Sequence, residues 1–428
     1  MTSLRKLLMT RYTFRMGVSA STRDVIFEFR ESIRKLLNHR PGMLITMGVL
    51  VTSLMYSLFR QLMEVRQGGH AYKTGDWLIN YEGGYTGRGL FGQLALSVSD
   101  VLGVSILWTS FLMQAGLYLL FVLFSLDIIR RVESSYLWVF ALSPAFILFG
   151  FLDTDGAFRK ELLGFASLIL IVHSLVSGRA LKTKFIFSVI LFIVFTFSWE
   201  TGACFLPIFI YFFYELYYRK LVSQTTFLIL TIGYSCVSVI SAVGVYYFAR
   251  YRTITISADI CESLISRGLN STICEGTIAS ITEHSTDVEQ ILRHLWVGSN
   301  YGYYVPILLM TLIPFVISGW IQFHKGLSFI LFFSTIPLYL LGEDYGRWIH
   351  IFSVFLTLAW LTNSDHLRAV NGASGRVKQD EFSKLKIYLF LLFVVMWRVP
   401  HSGEVTFYRV TFGFLARVLS WLHLWPAT

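Results

Sequence analysis

The sequence predicts an all-α, polytopic integral membrane protein of about 11 (10–12) transmembrane helices. Three observations carry that reading. Hydrophobic residues make up 55% of the 428 residues, aromatic residues 17% and charged residues only 14%, and the mean hydropathy is +0.60; a water-soluble core does not require so much apolar sequence. Apolar runs recur along the whole chain. The polar connections between them alternate between basic ones and ones that mix acid with base, as expected when positive loops stay in the cytoplasm.

Residues 1–42 hold nine Lys/Arg (Arg5, Lys6, Arg11, Arg15, Arg23, Arg30, Arg34, Lys35, Arg40) against three acids. A basic head could bind nucleic acid, but next to an apolar span it marks the cytoplasmic side, so no nucleic-acid partner is expected. Ile26, Phe29, Ile33, Leu36 and Leu37 fall at helical spacing and predict a helix over 24–40 lying on the membrane surface, with a short soluble helix as the alternative. The first long apolar run begins at Met43 without a small-residue cleavage site, so it is expected to persist as a helix. Residues 43–428 then read as one membrane domain with large outer loops at 64–100 and 250–300.

Spans are expected at 43–59, 104–126, 136–151, 162–176, 185–199, 204–217, 227–248, 304–323, 327–341, 349–361 and 387–397. Several are shorter than the roughly 20 residues a bilayer core asks for, which leaves their ends soft. The aromatic tail 405–425 fits either a twelfth span or an interfacial helix. Basic returns at Arg130-Arg131, Arg179 to Lys184, Arg219-Lys220, His324-Lys325 and Arg368 to Lys386 all fall on one side.

Threading those returns through the cytoplasm places five islands of acid and base on the opposite face: 75–92, 153–161, Glu200, 342–348 and 398–404. Charge abutting a span end is expensive to place near the bilayer and often marks function, whereas any hydrophilic loop must carry some charge. The stretch from Gly75 to Gly92 is the most site-like, because five glycines from Gly83 onward accompany Asp76, Glu82 and Arg88. Glycine there suits a tight turn or a close approach of backbone. Arg88, Arg159, Lys160 and Arg347 could grip phosphate oxygens, the guanidinium as a bidentate fork and the ammonium as a point charge. Glu82, Asp76 and Asp344 could accept a proton from a hydroxyl. Glu200 and His401, the latter beside Pro400 and Glu404, are further candidates to contact substrate. An intramolecular ion pair fixing two loops is the structural alternative for Arg88 and Arg347. Trp77, Tyr81 and Tyr85 could stack on sugar rings, although aromatic residues also collect at membrane interfaces.

Of the four cysteines, Cys204 and Cys236 lie in apolar runs, and Cys261 and Cys274 share one polar loop. The second pair is expected to form a disulfide if that loop faces an oxidising compartment. No P-loop, His-Glu-x-x-His or Gly-x-Ser-x-Gly sequence is present, and the ten histidines are scattered; no cofactor is expected, with a divalent metal left open. His173 and His350, inside spans, read as packed or hydrogen-bonded residues.

Asp76-Trp77, Asn80-Tyr81-Glu82-Gly83-Gly84, Arg88-Gly89-Leu90 and Gly92 together resemble a pattern in the bacterial multi-span O-antigen and capsule polymerases. Gly87 stands where that group carries a first arginine. Phe158-Arg159-Lys160-Glu161 and Gly342-Glu343-Asp344-Tyr345-Gly346-Arg347-Trp348 are similar to two further blocks of the same group. The acidic first outer loop also resembles the GT-C class of membrane glycosyltransferases. These resemblances imply a glycosyltransferase of the bacterial inner membrane with a cytoplasmic N-terminus and a periplasmic active site. Its substrate would be a polyprenyl-(di)phosphate-linked saccharide, and its partners the bilayer and other polysaccharide-assembly membrane proteins. They imply Glu82, or Asp76 instead, as the base for the acceptor hydroxyl, with Arg88, Arg159 and Arg347 steadying the departing phosphate. Transfer of a single sugar is the alternative within the class. A lipid-linked glycan flippase is the alternative outside it, disfavoured because the charges cluster at span ends.

Overall fold

A computed structural model describes residues 41–131, 141–178, 181–251, 255–282, 301–342, 344–372 and 392–401, with Gly413 and Leu419. The basic head before residue 41 with its expected surface helix, Glu404 and nearly all of the 405–425 tail lie outside the described residues. By its contacts the chain divides into Met1–Gly48 and Val49–Thr428; of the first unit only the opening turns of α1 are described.

The fold is all-α, with no strand among the described residues. The long first helix, α1 (Pro41–Arg66), leads into a short buried helix, α2 (Lys73–Leu78), and an amphipathic one, α3 (Leu90–Leu102). Then come α4 (Ile106–Arg131), two four-residue helices α5 (Phe149–Leu152) and α6 (Thr154–Ala157), α7 (Glu161–Ser177) and α8 (Leu181–Thr196). A 3-10 turn, Glu200–Phe205, feeds α9 (Leu206–Tyr218), where Pro207 near the start supplies a pre-set φ and forfeits no helical hydrogen bond. Next are α10 (Gln224–Tyr251), α11 (Ile256–Ser266), α12 (Tyr301–Ile317), α13 (Trp320–Phe323), α14 (Lys325–Leu341) and α15 (Tyr345–Gly372).

Two helices, Ile106–Arg131 and Gln224–Phe248, are long and apolar enough to cross a membrane, and four shorter apolar ones lie at Leu90–Leu102, Glu161–Ser177, Gly302–Ile317 and Lys325–Leu340. The apolar run expected as a span over 136–151 departs from the sequence reading. Its described part is a buried chain of turns from Ser143 to Leu148 before α5. Pro144 is the cause, since it disfavours helical backbone at Ser143, and Ser143 accepts hydrogen bonds from Ala145 N and Phe146 N in a local turn. His350 supplies a partner for a carbonyl that this broken stretch leaves over, its Nδ1 lying 2.9 Å from Ala145 O while its ring stacks on Phe149.

The centre of the fold is α7, buried from Glu161 to Leu175 and packed against α4, α8, α9 and α15. A helix apolar on every side must be surrounded on every side. Ser167 and Ser188 hydrogen-bond across α7 and α8, and Tyr234 of α10 closes that group at 3.0 Å from the Ser188 hydroxyl. With 17 residues, α7 is about 25 Å long. Its two ends are polar, and the Glu161 end collects most of the islands singled out in the sequence.

Candidate functional site

The site is assembled where the loop before α7 meets the loop before α15. Glu161 sits in the first turn of α7, where the helix dipole favours an acid. Arg347, in the first turn of α15, grips it bidentately through one guanidinium edge, Nε to Oε1 at 3.0 Å and Nη2 to Oε2 at 2.8 Å, and its Nη1 pairs with Asp344. Both partners are buried, Glu161 to 1% exposure and Arg347 to 5%. The Asp344 backbone carbonyl in turn accepts from Arg347 N and Trp348 N and so starts α15. The guanidinium fork is therefore committed to a carboxylate, which is the loop-fixing arrangement that the sequence left as the alternative to a phosphate grip.

Asp76 lies beside this lock on α2, 4% exposed. Three features sink α2 into the core: the Trp77 indole donates to Phe158 O at 2.8 Å, the Trp77 ring meets Phe91 edge-on, and Gly92 packs on the Ile79 carbonyl so closely that a Cβ would collide with it. Trp77 is thus a core residue here. Lys160 Nζ stands 3.4 Å from Asp76 Oδ1 and Arg88 Nη1 3.9 Å from the same oxygen. Lys160 Nζ also donates to Arg88 O at 2.8 Å. Among the described residues buried Oδ1 has no hydrogen-bond partner. Burial alone would push the Asp76 carboxyl up, but Lys160, Arg88, Arg159 and Arg347 together hold it below the ordinary carboxylate value. Asp76 is an anion set among cations with one acceptor oxygen unfilled.

Arg159 is buried with its Nη1 2.5 Å from Tyr72 O and, among the described residues, its Nε unpartnered. Tyr72 O also accepts from the Thr277 hydroxyl at 2.7 Å. The segment holding Thr277 belongs to the 255–282 region, which packs on α2 through Ile273 and Ile278. There Cys261 and Cys274 are disulfide-bonded, with Cα atoms 5.9 Å apart, joining α11 to the 3-10 turn Ser271–Cys274.

A third layer ties in the remaining islands. Lys73, buried on α2, is 2.6 Å from Glu64 of α1 and 3.2 Å from Asp155 of α6. Asp153 caps α6 by accepting from Gly156 N at 2.9 Å, and accepts from His401 N at 2.9 Å. The His401 Nδ1 is 2.8 Å from the same carboxylate. Burial would raise the Asp153 carboxyl, yet His401 and the backbone donors bring it down to about 2. The reverse holds for His401: burial depresses the imidazolium, and Asp153 and Asp344 more than compensate.

Of the residues proposed from sequence, Asp76, Arg88, Arg159, Lys160, Asp344, Arg347 and His401 converge at this end of α7. Glu82 stands apart. Asn80 Oδ1 accepts from Glu82 N at 2.9 Å in a local turn that leaves Glu82 exposed, and among the described residues its carboxylate makes no ion pair or hydrogen bond. Glu200 opens the 3-10 turn after α8, and its side chain lies outside the described residues. The sequence reading gave no role to Glu161, Lys73 or Glu64. Glu161 was legible as an acid abutting an apolar run, whereas nothing in the local pattern separated Lys73 from an exposed loop lysine.

No family model matches the chain, and no curated protein or solved structure shows a significant match to it.

Proposed function

We propose that the protein is a polytopic membrane glycosyltransferase of the bacterial inner membrane. Its donor is a polyprenyl-diphosphate-linked saccharide, used at the periplasmic face to extend a surface polysaccharide by repeat units. The observation that carries the reading is the convergence around Asp76: two islands far apart in sequence, 75–92 and 153–161, meet at one end of α7 as a buried carboxylate with Lys160, Arg88 and Arg159 around it. A structural ion pair would fill its acceptors, and among the described residues this one leaves Asp76 Oδ1 and Arg159 Nε unfilled.

A membrane setting is supported by α10, on which Ile229, Ile232, Val239, Ile240 and Val243 are all exposed. A run of large apolar side chains of that kind suits lipid better than water. About 11 passes, several of them short or broken, place the Glu161 end of α7 outside and its Ser177 end, with Arg130, Arg131 and Lys184, in the cytoplasm. The periplasm also suits the Cys261–Cys274 bond.

Within this reading each group has a task. Arg88, Arg159 and Lys160 hold the diphosphate and take up the charge it gains as the glycosidic bond breaks. Arg347 and Glu161 lock the two helix starts that carry them. Asp76 faces the anomeric centre, where a fixed carboxylate stabilises oxocarbenium character. Exposure of Glu82 moves the carboxylate role from that residue to Asp76. The test is to incubate purified protein with polyprenyl-diphosphate-linked saccharides extracted from membranes of the native organism and measure glycan length. Longer chains are expected. Addition of one sugar would indicate a single-sugar transferase, and translocation without bond formation a flippase.

A further inference from the structure

Resting on that reading, we infer that His401, held by Asp153, is the group that takes the proton from the acceptor hydroxyl. The geometry is that of an oriented imidazole. His401 Nδ1 lies 2.8 Å from both oxygens of Asp153, and the His401 backbone is fixed twice: its N–H donates to Asp153 at 2.9 Å and its carbonyl accepts from Gly346 N at 3.3 Å. Gly346 packs so tightly on Pro400 that a Cβ would strike the Pro400 carbonyl, so this segment cannot drift from the start of α15. With Nδ1–H committed to the carboxylate, a neutral ring presents its lone pair at Nε2, and no hydrogen bond holds Nε2 among the described residues. The His401 side chain is 22% exposed, against 6% for Asp76.

Charge arguments select His401 over the carboxylates. A general base works best with a proton affinity near the working pH. The cations around Asp76 weaken it as a base, and Asp344 is likewise held below the ordinary carboxylate value despite its burial, by Arg347, Arg159 and His401. The groups facing His401 are Asp153 beside α6, Asp344 before α15 and Arg159 before α7; the two acids favour the imidazolium and the arginine opposes it, with a net upward displacement. Asp153 is a positioning residue that fixes the tautomer and stabilises the imidazolium once formed. In the step itself the acceptor O–H bond breaks and its proton moves to Nε2. The acceptor oxygen bonds to the anomeric carbon as the carbon–oxygen bond to the diphosphate breaks, and that electron pair leaves on the diphosphate. The imidazolium then gives its proton to water, restoring the neutral ring.

The experiment is a pH–rate profile of the purified full-length protein on the extracted lipid-linked saccharides, for wild type, His401→Ala and Asp153→Asn, each checked for a monodisperse fold and for binding of inorganic pyrophosphate. His401→Ala is expected to lose about 10²- to 10⁴-fold in transfer, to keep pyrophosphate binding, and to regain rate with added imidazole, its acid limb then following the imidazole. Because Asp153 raises the His401 pKa, Asp153→Asn moves the acid limb of the profile to lower pH while reducing the rate. A His401→Ala rate within threefold of wild type, or a slow variant that imidazole leaves unchanged, overturns the His401 assignment and leaves the glycosyltransferase reading standing. A wild-type protein that makes no glycosidic bond overturns both.

Discussion

Both ends of α7 gather charges, and they use them differently. At the Ser177 end, Asp127 pairs with Arg130 at 2.8 Å and with Arg131 at 2.6 Å, and His173 Nε2 joins the same carboxylate at 2.9 Å. Lys184 Nζ and the Ser177 hydroxyl approach His173 Nδ1. Both arginines are exposed, so these contacts are self-contained surface pairs of small net value. At the Glu161 end Asp76, Arg159, Lys160, Glu161 and Arg347 are buried, where an ion pair is costly to form and costlier to break, and among the described residues one carboxylate oxygen and one guanidinium nitrogen remain unfilled. Burial with incomplete satisfaction, rather than the presence of charge, is what separates the proposed reaction site from the other end.

The largest effect expected from disturbing this contrast is at the lock. Arg347→Ala strands Glu161 in the core and should cost about 3–5 kcal/mol, read as loss of folded protein in a thermal or denaturant series. Arg347→Lys should recover only part of it, because an ammonium cannot make the bidentate contact. Next is the brace over α2: replacing Cys261 and Cys274 by serine should cost about 3 kcal/mol in the chain-entropy model, and unmodified protein isolated without reductant should show both thiols blocked to alkylation in mass spectrometry.

The Asp153–His401 pair predicts a pH window. Asp153 is depressed to about 2, so its stabilisation, about 2 kcal/mol, is present above its unfolded value and lost as pH falls through the folded one. His401 is displaced upward, so its share is present below the ordinary imidazole value and lost as pH rises through the folded one. The stability difference between wild type and Asp153→Asn should therefore be greatest near pH 4 to 6 and shrink on both sides. A difference that stays unchanged well below about pH 4 and well above about pH 6 would remove the ionic account of this pair. The smallest effect belongs to the other end of α7: Asp127→Asn should change stability by about 1 kcal/mol or less and leave transfer near wild type.

Much of this was legible in the sequence because it rests on spacing and composition. The helices over 162–176, 185–199, 204–217 and 227–248 were expected from uninterrupted apolar runs, and each is present with ends moved by a few residues. Counting turns between basic loops put the islands 75–92, 153–161, Glu200, 342–348 and 398–404 on one face; in the fold the described parts of four of them meet, and the Glu200 side chain lies outside the described residues. What was not legible depends on contacts between distant segments. Glu82 and Asp76 are equally acidic in sequence; only the Asn80 turn and the burial of α2 decide which one meets the cations. Arg347 carries no local sign that Glu161, 186 residues away, occupies its fork. The break at Ser143-Pro144 was visible as a proline and was outweighed by hydropathy, which measures burial and not helicity.

The measurement that bears most directly on the central claim is a paired transfer assay of Asp76→Asn and Asp127→Asn with lipid-linked saccharides, at matched expression and with pyrophosphate binding recorded for both. The asparagine at 76 keeps shape and removes charge, so transfer should fall by about 100-fold or more with pyrophosphate still bound, while the asparagine at 127 transfers at the wild-type rate. Equal rates for the two variants would contradict the assignment of the Glu161 end of α7 as the reaction site.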